Sequence, residues 1–250
     1  MAVSIKSARE IELMREAGKR LAHVHQELEA MIAPGISTWE IDAKGEKLIR
    51  DCGCIPNFLH YNGYPASICV SVNDEVVHGI PRKDRYLKEG DIVSLDAGLT
   101  YKGYHSDAAR THAVGKVSTE AQKLMDVTKQ SFFEGIKMAK EGQHLHDISR
   151  AIEEYVTPYG YGIVRDLVGH GIGTALHEDP QIPNYAQKRR GVRLQAGMTL
   201  AIEPMINAGT WQVRFLRDGW TVVTKDGSLS AHYENTILVT DGEPDILTLY

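Results

Sequence analysis

Helix-like and strand-like patterns come in blocks along this chain, and the blocks occur twice, which predicts an α+β fold of two similar halves. Two amphipathic segments precede a run of short β-rich segments, and two more helix-like segments precede a second such run. A constant offset of 107 residues links the runs: Gly35 to Gly142 ahead of matching helices, Gly90 to Gly197 at the start of matching strands, and Asp96 to Glu203 at their ends. Halves of about 1–117 and 118–250, joined near 115–120, are expected. No linker-like or low-complexity stretch lies between them, so a single domain (1–250) with one shared sheet is expected.

The elements follow from local signals. Ser7 and Glu10 form a capping box ahead of the apolar positions Ile11, Met14, Ala17, Leu21 and Val24, a long amphipathic helix that should end before Pro34-Gly35. A second helix should begin after Ser37 or Thr38, carry Ile41, Leu48 and Ile49, and stop at Gly53. The segments ICVSVN (68–73) and DIVSLDAG (91–98) read as strands. A helix from about 120 to 140 then precedes Glu141-Gly142, and another covers about 145 to 155. MTLAIEP (198–204) and YENTILVT (233–240) read as further strands.

Composition narrows the function. With 42% hydrophobic and 24% charged residues the chain has the make-up of a globular protein, and a net charge of −5 gives no footprint for nucleic acid. The basic triplet Lys188-Arg189-Arg190 reads as a solvated loop. The charged, helix-like start has no apolar signal segment, and nowhere is there an apolar run long enough to cross a membrane, so a cytoplasmic location without membrane contact is expected. Cys52, Cys54 and Cys69 have neither zinc nor redox spacing and read as reduced thiols.

The chemistry lies on the strands. With a period of two, Asp96 shares a face with Ile92 and Ser94, and Glu203 shares one with Thr199 and Ala201. Asp107 opens DAARTHAV and Glu234 opens ENTILV in similar settings. Acids are depleted in strands, and converging carboxylates repel by roughly 4 kcal/mol per pair at 4 Å and an effective dielectric of 20. Arginine or lysine could gather them, and Arg110 and Arg214 are nearby, but Arg110 projects to the face opposite Asp107. Metal is the alternative: four carboxylates and one imidazole suit two divalent first-row ions. The stretch VGHGIGTALHEDP (168–180) is a poor helix, and a glycine-rich turn there would present His170 as the nitrogen ligand.

These motifs carry a resemblance. YNGYPASICVSVNDEVVHGIP (61–81), GDIVSLDAG (90–98), HSD (105–107), GHGIGTALHEDP (169–180), MTLAIEPM (198–205) and DGWTVVTKDGSLSAHYENTILVT (218–240) together resemble the pita-bread metallopeptidases, and among them the short bacterial methionine aminopeptidases, nearly end to end. The resemblance implies two pseudo-symmetric halves around a curved, mostly antiparallel sheet with helices on its outer face. It implies Asp96, Asp107, His170, Glu203 and Glu234 as ligands of two divalent ions, with Asp107 and Glu234 bridging them, Asp96 on one ion, and His170 and Glu203 on the other. It also implies Glu203 as general base, His177 as donor to the developing oxyanion and His78 as contact to the scissile amide nitrogen. Phe58, Tyr61, Tyr64, Cys69 and Trp220 correspond to the methionine pocket, although many short bacterial members carry a cysteine where this chain has Phe58. Two ions roughly 3.5–4 Å apart would activate a water for attack on the peptide carbonyl.

The implied activity is removal of N-terminal methionine from nascent chains whose second residue is small, by a monomer that could also contact the ribosome. The chain's own Met1-Ala2 start is such a sequence. Cobalt, manganese, iron and zinc all suit the donors. Two alternatives are a proline-specific peptidase of the same fold, usually with an additional N-terminal domain, and a metal-free binding relative. The long eukaryotic type is disfavoured because no Cys- and His-rich extension is present, and type II because no helical insertion separates Glu203 from Glu234. Nucleotide binding through GHGIG fails, since Thr174 stands where G-x-G-x-x-G needs glycine.

Overall fold

The computed structural model describes residues 3–249, so the Met1-Ala2 pair lies outside the described residues. Helix α1 (Ala8–Glu29) starts at the expected capping box, with the Ser7 main-chain N–H donating to Glu10 Oε2 at 2.7 Å. Its buried stripe includes Met14, Ala17, Leu21 and Val24. Helix α2 (Thr38–Asp51) is capped in the same way by Ser37 and Glu40. The first half continues with β1 (Ile55–Pro56), β2 (Ile68–Val72), β3 (Glu75–Val77) and the long hairpin of β4 (Ile92–Tyr101) and β5 (Tyr104–Ala113). Helices α3 (Thr119–Ile136) and α4 (Leu145–Val156) follow. After them come β6 (Gly162–Ile163), β7 (Gly169–Gly171), β8 (Glu178–Ile182), β9 (Thr199–Ile202) and β10 (Met205–Asn207). The last strands are β11 (Val213–Phe215), β12 (Val222–Thr224), β13 (Ser230–His232), β14 (Glu234–Leu238) and β15 (Asp245–Ile246).

Nine strands form one antiparallel sheet in the order β1-β4-β5-β14-β9-β7-β8, with β2 added on β4 and β15 on β14. The halves meet where β5 pairs β14, Glu234 opposite Ala109. Two small sheets, β13-β10-β6 and β11-β12-β3, flank it. The offset of the sequence reappears in the main chain. Gly35 donates to Leu87 at 2.8 Å, and its counterpart Gly142 donates to Leu194 at 3.0 Å. Gly90 and Gly197 have φ of +90° and +93°, a left-handed conformation that glycine adopts without a Cβ penalty.

Alternation gives the sheet one apolar and one acidic face. Val93, Leu95 and Ala97 of β4 pack with Leu21, Val24 and Ile41 of α1 and α2. Leu200 and Ile202 of β9 pack with Leu124, Phe132, Ile148 and Ile152 of α3 and α4. Burying each such side chain contributes about 1.5–3 kcal/mol. On the opposite face Asp96 and Glu234 line a cavity.

Some boundaries depart from expectation. Helix α3 ends at Ile136 rather than near 140, because Ala139 N–H turns back to Ile136 and Lys140 pairs with Thr240. The 198–204 strand stops at Ile202, ahead of Pro204, and the chain re-enters the neighbouring sheet as β10. The glycine-rich segment around His170 is not a turn: Gly169–Gly171 is an interior strand between β9 and β8. None of its glycines has positive φ. A Cβ on Gly169 would lie 2.5 Å from the Ala201 main-chain oxygen, and one on Gly171 would strike the Asp179 oxygen, so close approach of neighbouring strands is what requires glycine here.

Candidate functional site

The acids reach one place through strand register. Asp96 on β4 lies opposite Ala109 on β5, two residues from Asp107, and Ala109 also lies opposite Glu234 on β14. Ala201 on β9 lies opposite both Thr236 and His170, and two residues on from it stands Glu203. Period-two alternation then directs Asp96, Asp107, His170, Glu203 and Glu234 to the same side of the sheet. One oxygen or nitrogen from each of Asp107, His170 and Glu234 falls within 4.8 Å of the others. His170 Nε2 is 4.0 Å from Asp107 Oδ2 and 3.7 Å from Glu203 Oε1.

These carboxyls are buried and under-satisfied. Asp96 Oδ1, Asp107 Oδ1 and Glu234 Oε1 have no hydrogen-bond partner. Burial pushes Asp96 up to about 7. Burial, then the charges of Glu234 and Asp96, drives Asp107 well above the carboxylate range. Burial and the neighbouring acids do the same for Glu203 and Glu234. Among the described residues the basic groups at salt-bridge distance from these acids are histidines. The Arg110 guanidinium instead donates to the main-chain oxygens of Ala109 and Glu234 and to Asn235 Oδ1, and Arg214 is exposed on β11. Burying an uncompensated carboxylate costs several kcal/mol, so the cluster must take up protons or a cation. Orphaned oxygens with one imidazole beside them form the hard, oxygen-rich donor set of a divalent first-row ion, and the residues fit such a group.

The His170 ring is fixed in one tautomer. Its Nδ1 lies 2.9 Å from the Gly171 carbonyl oxygen, which can only accept, so the proton resides on Nδ1 and Nε2 is bare toward the acids. Burial, then nearby His177, lowers its pKa to about 4, keeping it neutral.

All the remaining sequence-predicted residues line the same cavity of about 510 Å³. Tyr64, Cys69 and Ala66 form a small apolar cluster with Phe58 and Trp220 packed on it. Cys69 on β2 lies opposite Asp96, which sets the apolar pocket directly against the acids. Tyr64 and Trp220 stack edge to face with centroids 5.2 Å apart. The hydroxyl of Tyr64 donates to the Gly79 oxygen, and that of Tyr61, at the cavity mouth, lies 2.8 Å from His177 Nδ1. The His177 ring lies tilted at 56° against that of His170, their centroids 4.3 Å apart. His78 holds a left-handed φ of +59°, uncommon for a residue with a Cβ, and burial lowers its pKa to about 4. The three cysteines are free, as expected.

One residue beside the cluster was missed. His232 is buried with Nε2 3.7 Å from Glu203 Oε2 and 4.0 Å from Glu234 Oε2. Alternation was the available signal, since His232 stands two residues before Glu234.

Known proteins match this picture. The model described as metallopeptidase family M24 matches residues 12–241. A methionine aminopeptidase of Clostridium acetobutylicum is 53% identical, over 99% of each chain. The crystal structure of methionine aminopeptidase from Thermotoga maritima superposes with a TM-score of 0.97 at 46% identity, each chain covered in full. Prolidase from Pyrococcus furiosus shares the fold alone, with a TM-score of 0.78 and 24% identity over 98% of this chain and 65% of that one. Buried acids on a two-fold repeated sheet, and a relative of that identity over almost the whole length, make this chain a member of metallopeptidase family M24.

Proposed function

We propose that the chain is a metal-dependent methionyl aminopeptidase, one catalytic domain that removes N-terminal methionine from peptides and nascent proteins when the second residue is small. The observation that carries this reading is a single cavity in which an aromatic and thiol-lined pocket adjoins the acidic cluster. Asp96, Asp107, His170, Glu203 and Glu234 would hold two divalent ions, of cobalt, manganese, iron or zinc. Bound there, the ions supply Lewis acidity toward water and the peptide carbonyl.

The chain's own groups then have distinct tasks. Phe58, Tyr64, Cys69 and Trp220 enclose an unbranched thioether, with sulfur–aromatic contacts of roughly 0.3–1.5 kcal/mol. Glu203 accepts the proton of the attacking water and returns it to the leaving amine. Tyr61 Oη lies 2.8 Å from His177 Nδ1, and an O–H donated there would leave the His177 proton on Nε2, to be given as a hydrogen bond to the developing oxyanion. His78, neutral at physiological pH, contacts the scissile amide nitrogen.

Competition between Met-Ala-Ser and peptides with proline second tests the assignment. Preferential release of methionine from Met-Ala-Ser is expected. Preference for any first residue followed by proline would replace this reading with the prolidase-like one. The finer proposal is a cytoplasmic monomer meeting chains as they leave the ribosome, supported by the substrate itself, since initiator methionine marks new chains. Sedimentation of the protein with and without ribosomes tests both parts.

A further inference from the structure

Glu203 lies between two imidazoles. His170 Nε2 is 3.7 Å from its Oε1, and His232 Nε2 is 3.7 Å from its Oε2. The rings differ at the far nitrogen. The Gly171 carbonyl fixes the His170 proton on Nδ1. Among the described residues no hydrogen bond holds His232 Nδ1, while its Nε2 is buried, unpartnered and within 4.0 Å of oxygens from two carboxylates. Once a cation has displaced the acids' protons, a lone pair on Nε2 would repel those oxygens, whereas an N–H would meet them. The backbone of His232 is clamped by one hydroxyl: Thr111 Oγ1 donates to its main-chain oxygen and accepts from its main-chain nitrogen, both at 2.9 Å. The ring therefore has a fixed base from which to act.

We infer that His232 is a positioning residue whose Nε2–H donates to the Glu203 carboxylate, so that Glu203 is held between two imidazoles of opposite tautomer, one a metal ligand and one a donor. This rests on the reading of Glu203 as a carboxylate of the metal centre. The present 3.7 Å exceeds a hydrogen bond, and a carboxylate shift of about 1 Å closes it. Catalytic hydrogen bonds are commonly long before the reacting complex forms. A neutral donor suits the place better than lysine or arginine, because it orients the carboxylate without adding a full positive charge beside the cations.

The tautomers are directly measurable. Nitrogen-15 spectra of histidine-labelled protein loaded with diamagnetic zinc at neutral pH, assigned with His170→Gln and His232→Gln, should show the proton on Nδ1 of His170 and on Nε2 of His232. A bare Nε2 on His232 overturns the inference and leaves the peptidase reading untouched, since Met-Ala-Ser hydrolysis is measured separately. Manganese titrated into stripped protein, and kcat on Met-Ala-Ser, form the second arm. His232→Leu should lose about 10–100-fold in manganese affinity or in kcat with KM little changed, and His232→Gln, which keeps an N–H, should recover most of it. A leucine variant equal to native, or a glutamine variant as poor as leucine, would overturn the donor role. If the leucine variant fails to fold, the spectra of the native protein still decide.

Discussion

Acidic residues stand in two settings in this molecule and receive opposite treatment. At helix starts and turns they are supplied with donors: Glu10 accepts from the Ser7 hydroxyl and main-chain N–H, Glu40 likewise from Ser37, and Asp226 from Thr210 and Ser228. Those hydrogen bonds hold all three below the ordinary carboxylate range. On the inner face of the sheet, Asp96, Asp107 and Glu234 keep oxygens with no donor, and burial drives them upward. A chain able to satisfy acids elsewhere leaves donors out where cations would replace them. The contrast teaches that the inner acids are built for a guest.

Removing that guest should give the largest effect. Dialysis against a chelator is expected to abolish hydrolysis of Met-Ala-Ser, with activity restored by added divalent metal. Activity surviving with no transition metal by elemental analysis would erase the distinction between the two acid populations. His170→Ala should weaken metal retention itself, because it deletes a bare nitrogen facing the acids. His177→Ala should leave metal content nearly intact and lower kcat by about 10²–10³, the usual cost of an oxyanion donor. The reverse pattern in metal analysis and kinetics would mean that the two histidines have exchanged roles.

Titration sharpens the contrast further. A carboxyl whose pKa is raised in the folded state holds its proton longer than in the unfolded chain, so rising pH destabilises the metal-free fold between the two values. For Asp96 that window runs from the ordinary carboxylate range to about 7, and the other three acids, raised in the same direction, add to it. Buried His25, His170 and His232 act in the opposite sense, since their folded pKa values are lowered and stability rises with pH until the unfolded histidines deprotonate. Above about pH 6.5 the histidines drop out and the acids alone set the slope. Urea unfolding of the stripped protein should then show stability falling by up to about 1.4 kcal/mol per pH unit for each acid still protonated, with the metal-loaded protein nearly flat. A stripped protein that gains stability over this range would contradict the raised values.

Local chemistry made much of this legible in the sequence. Ser7 with Glu10 announced the first helix start because a capping box is completed within four residues, and Ser37 or Thr38 marked the second. The faces of DIVSLD and MTLAIE followed from alternation, and the acids could be placed on one side before any register was known. What was not legible depended on neighbours distant in sequence. The glycines beside His170 suggested a turn, but their reason is the oxygens of Ala201 and Asp179, which no local pattern reveals. The end of α3 is set by Lys140 pairing with Thr240. His232 ends a strand of a different sheet from the one Glu234 opens, so its approach to Glu203 required the tertiary fold. Tyr61 was read as pocket wall, and its hydroxyl proves to meet His177.

The smallest expected effect tests whether hydrogen bonding or burial separates the two kinds of acid. Ser37 Oγ accepts from the Glu40 N–H at 3.2 Å and donates to Glu40 Oε2 at 2.6 Å, so Ser37→Ala removes side-chain bonds from a satisfied carboxylate. Glu40 is exposed, and water can take the place of the lost donor. The loss in urea unfolding should therefore be about 1 kcal/mol, the ordinary worth of an N-cap, with hydrolysis of Met-Ala-Ser unchanged. A loss of several kcal/mol would mean that an exposed acid deprived of its donor is as costly as a buried one. Burial would then no longer explain why the inner acids demand a cation, and the difference between the two regions would have to be sought in their donors alone.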